Sequence, residues 1–163
     1  MIQVHPPRHW LRFVVALALA GAVGLARPAP ASAFWQGPPA RQVVVFGVVA
    51  KPGGAKMDPK IAPVVQAQLR RLLPDHSFEI IQIKGERVTA GKAVKCDLGG
   101  GSAATARLMN PSDGNGKVQM RFEMVIEGVS QFQTIVATPP DQFNFFDRKL
   151  PDGNRLLVGV GAR

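Results

Sequence analysis

Apolar and polar residues alternate most regularly between Lys117 and Thr138, KVQMRFEMVIEGVSQFQTIVAT. Val118, Met120, Phe122, Met124 and Ile126 take every second position, with Gln119, Arg121 and Glu123 between them. A period of two sends the two sets to opposite faces of a pleated strand, so the run predicts a half-buried strand. Gly128-Val129-Ser130 is expected to turn the chain. Phe132, Thr134 and Val136 then resume the alternation, which makes a β-hairpin.

Other stretches follow different rules. Gln42 to Ala50 (QVVVFGVVA) is apolar at nearly every position, which suits a strand covered on both faces. Asp58-Pro59 looks like a helix start, with Asp58 capping free N–H groups and Pro59 at the first position. Pro63 allows two versions: an irregular first turn from Pro59, or a helix that begins at Pro63 itself. Ile61, Val65, Leu69 and Leu72 form one apolar stripe, Gln66, Arg70 and Arg71 point to solvent, and Pro74 ends the helix. Phe78 to Lys84, Glu86 to Ala90, the Cys96 strand, Ala103 to Met109 and Arg155 to Val160 read as short strands joined by Gly- and Pro-rich turns.

One helix followed by a run of strands predicts an α+β domain, with a single helix packed on a mostly antiparallel sheet of about seven to eight short strands. A β-sandwich carrying one helix is the alternative. The stripe Ile61, Val65, Leu69, Leu72 is expected to cover the apolar row Val118 to Ile126.

The first 33 residues change the picture of where this domain works. Arg8 and Arg12 precede an apolar run of 13 residues, Phe13 to Leu25, and Ala31-Ser32-Ala33 supplies small residues for cleavage before Phe34. The run is shorter than the roughly 20 residues that span a bilayer as a helix. Residues 1–33 are therefore expected to be a signal peptide and the mature protein periplasmic or secreted, touching membrane only before cleavage. Residues 34–41 (FWQGPPAR) read as a mobile lead-in, and 42–163 as a single domain.

Cleavage leaves 163 − 33 = 130 residues and lowers the formal charge from +9 to +6, since Arg8, Arg12 and Arg27 depart. A basic exported domain can meet an anionic polymer or an acidic partner. Its basic residues are scattered, however, and no nucleic-acid-binding pattern accompanies them, so nucleic acid is not an expected partner. Cys96, the sole cysteine, excludes an internal disulfide and falls on one face with Val94 and Leu98, as a small buried hydrophobe would.

No catalytic constellation emerges. His76 follows Asp75 in a turn, with no Gly-x-Ser-x-Gly elbow anywhere in the chain. One His and one Cys cannot fill a zinc site. Asp113-Gly114-Asn115-Gly116 begins like a calcium loop, but its twelfth position is Met124 where a bidentate Glu is required. Gly99-Gly100-Gly101-Ser102 links two strands and lacks the following helix that a phosphate cradle uses. Glu123 and Glu127 share a face with Arg121, as a solvated surface does.

The feature that packing explains least is Phe143, Phe145 and Phe146, three aromatic residues in four positions, followed by Arg148 and Lys149. A strand cannot send all three rings to one face, so this group is the candidate partner-binding surface.

Phe78-Glu-Ile-Ile-Gln, Gly91-Lys-Ala-Val, Val118-Gln-Met-Arg-Phe-Glu and Leu150-Pro-Asp-Gly-Asn-Arg-Leu-Leu-Val-Gly-Val, in this order, resemble a group of small exported bacterial proteins of uncharacterised role. The closing segment also resembles a pattern late in outer-membrane secretin domains, with Gly159-Val160-Gly161 where those have Gly-Gly. Neither resemblance implies a catalytic residue or a cofactor. The expected function is a non-enzymatic envelope or secreted module that binds an envelope protein or an anionic surface polymer. A carrier of a small ligand between helix and sheet is the alternative, and a hydrolase-type enzyme a more distant one.

Overall fold

The computed structural model describes residues 39–163, so the expected signal peptide and most of the lead-in lie outside the described residues. Eight strands and one helix follow in the order β1 (Ala40–Pro52), α1 (Pro63–Leu72), β2 (His76–Thr89), β3 (Ala93–Gly99), β4 (Ser102–Asn110), β5 (Val118–Ile126), β6 (Val129–Thr138), β7 (Phe143–Lys149) and β8 (Arg155–Ala162). Among the described residues antiparallel sheet dominates and a single short helix is present. The strands form two four-stranded sheets, ordered β2-β1-β8-β7 and β3-β4-β5-β6, in place of the single sheet that the leading expectation held and in keeping with its two-sheet alternative.

Strand β1 explains the layering. Its alternate side chains enter two separate cores, Val43 and Val45 in one, Val44, Phe46 and Val48 in the other. The first core lies between the sheets and holds Val94, Cys96 and Leu98 of β3, Val118, Met120, Phe122 and Met124 of β5, and Leu156, Val158 and Val160 of β8. The second lies under α1 and takes Ile61, Val65, Leu69, Phe78 and Leu157. The helix thus covers β1 and its neighbours, and the apolar row of β5 faces the other sheet instead. An apolar face specifies burial, not the identity of the layer that buries it.

Several local expectations are revised. The helix begins at Pro63, one of the two versions allowed, with Ala62 as an N-cap that supplies no side-chain bond. Asp58 serves a different end: its carboxylate accepts the N–H of Lys60 at 2.9 Å and that of Ile80 at 3.3 Å, pinning the approach segment to β2. Leu72 is half exposed and drops out of the stripe. Arg70 bends back to donate to the carbonyls of His76 and Ala55 and lies over the Phe78 ring. The two runs from Phe78 to Ala90 are one strand broken by a bulge, since Gly47 pairs with Gln82 and Val48 with Ile80, leaving Ile81 as the extra residue. The turn after β5 is Glu127-Gly128, with φ of 49° and 79° at the two positions, the double positive φ of a tight two-residue hairpin loop.

The two glycines near the chain end have a packing reason. A Cβ on Gly159 would strike the Phe46 ring, and one on Gly161 would strike Gln142 Oand the Phe143 ring. Their absent side chains let those aromatic rings lie directly on the sheet.

Candidate functional site

Strand β7 was not legible as a strand, and its residues decide how the candidate surface is built. Phe143 and Phe145 face the helix side, with ring centroids 5.4 Å and 5.9 Å from Phe46 in edge-on contacts. Phe146 faces inward and stacks on Phe122 at 4.3 Å and 5°, with Phe132 tilted beside it at 5.2 Å. The three rings therefore serve two cores from opposite faces of one strand, and none is exposed. Arg148 pairs in register with Leu156, a residue of the inter-sheet core, so it also points inward, at the end of the sandwich. Lys149 pairs with Arg155 on the opposite face and is exposed. The structure does not bring these five residues to one surface.

It draws attention to their neighbour instead. Four strands end the two sheets, β2 and β7 in one, β3 and β6 in the other. An edge strand presents N–H and C=O groups on its free side, and proteins ordinarily protect it with charge, proline, bulges or cover. β2 carries Glu79, Lys84, Glu86, Arg87 and the bulge; β3 carries Lys95 and Asp97; β7 carries Asp147, Arg148 and Lys149. β6, VSQFQTIVAT, has ten residues with no charge and no proline, and a bulge at Gln131, since Met124 pairs with Phe132 and Val125 with Ser130. Among the described residues it pairs with β5 alone, and Val129 and Ile135 stand 62% and 60% exposed on it.

The two flanks of the molecule differ accordingly. On the β2/β3 flank the Asp97 N–H donates to Gln82 Oε1 at 2.6 Å, and the Cys96 thiol lies 3.7 Å from the Gln82 carbonyl. Burial pushes the Cys96 thiol above its ordinary pKa, which keeps it protonated and unreactive. On the β6/β7 flank the polar tie is Asn144 Nδ2 donating to Thr138 Oγ1, at the end where β6 crosses to β7 through Pro139-Pro140.

The other candidates gain little from their surroundings. The outer face of the β3-β4-β5-β6 sheet carries Lys95, Arg107 and Arg121; register sets Arg107 opposite Arg121, while Lys95 lies in the row of Thr105 and Glu123, and Asp97 shares that face. The mixture gives no field of one sign for a polyanion. His76 opens β2, its Nδ1 buried without a hydrogen-bond partner. Among the described residues no group of three or more His, Cys, Asp or Glu could hold a metal ion. Asp113 spends its carboxylate on the N–H groups of Asn115 and Lys117, at 2.9 and 2.8 Å, as a loop cap. A pocket beside α1, lined by Val44, Phe46, Ile61, Val65 and Phe143, holds only about 30 Å³.

Comparison of the chain with protein-family models, with curated proteins and with solved structures returns no match.

Proposed function

We propose that this chain is an exported, non-enzymatic assembly module of the periplasm or cell surface, and that it joins a second copy of itself strand to strand along β6. The observation that carries the reading is the uncharged edge: ten residues without a charge, continuous in register from Phe132 to Thr138, beside three edges that each carry charge. Strand addition supplies affinity through main-chain hydrogen bonds and specificity through alternate side chains.

Self-pairing fits the side-chain order. An antiparallel match with a two-fold axis at Thr134 sets Phe132 against Val136 of the second copy and Gln133 against its Ile135. Aromatic residues opposite β-branched ones are favourable cross-strand pairs, and no like charges meet. A single Lys or Glu near the axis would confront its own copy, so the absence of charge is what this geometry requires. Opposing it is the overall charge, +6 on each exported copy after the loss of three arginines. That repulsion is long-ranged and screened over roughly 8 Å at physiological salt.

Sedimentation equilibrium of Phe34–Arg163 tests the proposal. The expected result is a dimer whose association strengthens as salt is raised, abolished by Ile135→Lys and unaffected by Ile83→Lys on β2. A protein that stays monomeric at about millimolar concentration, weaker than any specific dimer worth the name, overturns it. Equal association by Ile135→Lys overturns it as well.

A further inference from the structure

The sandwich has a mouth. Where the β3–β4, β5–β6 and β7–β8 turns gather, a cavity of about 290 Å³ opens between the sheets. Val49, Ile81, Leu98, Ile126, Leu150 and Leu156 line it, so its wall continues the inter-sheet core. Its rim is fixed: the Gly128 N–H donates to the Gly101 carbonyl at 3.1 Å and the Glu127 N–H to Ser102 Oγ at 3.4 Å, joining two hairpin turns. Arg148 enters this apolar space from the inner face of β7. None of the four ion pairs among the described residues includes it, nor does any include Glu127, the carboxylate that also lines the mouth.

An inward-pointing charge on an edge strand can serve simply to discourage pairing, and that accounts for Arg148 alone. It does not account for a mostly apolar cavity that Arg148 lines. Ligand sites are concave, mostly apolar and equipped with a few polar groups that orient the ligand. We infer that the mouth binds a small monocarboxylate with an apolar body, the chain lying against Leu98, Ile126 and Leu156 and the carboxylate on Arg148. A planar guanidinium presents paired N–H donors that match the two oxygens of a carboxylate. The cavity's volume equals that of roughly ten water molecules, which sets the size of ligand at roughly ten non-hydrogen atoms. Glu127 opposes an anion there, so its neutralisation should tighten binding. The site is separate from the β6 edge and does not depend on dimerisation.

The probe is octanoate, titrated into Phe34–Arg163 and followed by methyl chemical shifts and calorimetry, with octanol and octylammonium as controls. Octanoate is expected to move the methyl signals of Leu98, Ile126 and Leu156 and to bind more tightly than either control. Arg148→Met, which keeps the aliphatic stem, should weaken octanoate by at least about tenfold. Arg148→Lys should restore part of the affinity, and Glu127→Gln should raise it. Thermal unfolding of each variant shows whether the fold is retained. Octanol binding as well as octanoate, unchanged affinity in a folded Arg148→Met, or no methyl shift at the mouth overturns the inference.

Discussion

The two flanks of this sandwich solve the same problem by different means. On one, β2 and β3 are charged, bulged and joined by a hydrogen bond from the Asp97 backbone to Gln82. On the other, β6 and β7 meet through stacked rings, Phe122 on Phe146 with Phe132 beside them, and β6 carries no charge along its edge. A hydrogen-bonded, charged flank is finished. A flank held by apolar packing under an uncharged strand leaves the outer N–H and C=O groups of β6 without charge beside them, which is the premise of the proposed pairing.

The largest effect expected on this comparison comes from the aromatic stack. Phe122 is fully buried, and Phe122→Ala should cost about 3–5 kcal/mol in denaturant unfolding. A much smaller loss would mean that the β6/β7 flank does not rest on those rings. On the opposite flank, Gln82→Ala removes one acceptor at a solvent-exposed position and should cost only about 0.5–1.5 kcal/mol. Equal losses from the two substitutions would erase the distinction between the flanks.

Smaller again is the turn that feeds β6. Glu127 holds φ at 49° with a full side chain, and Asn tolerates that region better. Glu127→Asn, creating an Asn-Gly hairpin turn, should stabilise the protein by up to about 1 kcal/mol in the same assay. A loss of stability would show that the rim needs the Glu side chain.

The β2 flank also predicts a modest acid sensitivity. Hydrogen bonds from the Lys60 and Ile80 N–H groups hold the Asp58 carboxyl below its ordinary pKa, with backbone bonding to Lys60 the largest cause. A lowered folded-state pKa contributes stability that is present above the unfolded value and lost as pH falls through the folded one. Asp58→Ala should therefore lower stability near neutral pH and flatten the decline below the ordinary carboxylate range, measured by thermal unfolding across pH. A variant whose acid profile matches the parent would contradict this role.

How much of this the chain discloses varies with the chemistry. The alternation in β5 and the double burial of β1 were plain from Val118 to Ile126 and Gln42 to Ala50, because side-chain period and burial are tied in a strand. The separation into two sheets was not, since the helix stripe and the β5 row are equally apolar and either could have covered the other. The bulge at Ile81 shifted the period within β2 and made one strand look like two. β7 carries no clean alternation in FNFFDRK, because its phenylalanines feed different cores. The candidate surface shifted for the same reason: rings that looked surplus to one core were required by two, while the plain run VSQFQTIVAT gained its meaning from its place at the edge. Arg148 was legible as a candidate, but its position in the mouth depends on register.

The most direct measurement is hydrogen exchange across Val129–Thr138 in Phe34–Arg163 at low and high protein concentration. Half of the N–H groups of an edge strand point away from its sheet and exchange freely unless another strand covers them. Self-pairing predicts that β6 gains protection as concentration rises, with β2 unchanged and the gain lost in Ile135→Lys. Exchange in β6 that is the same at both concentrations, or protection that appears on β2 instead, would contradict the account.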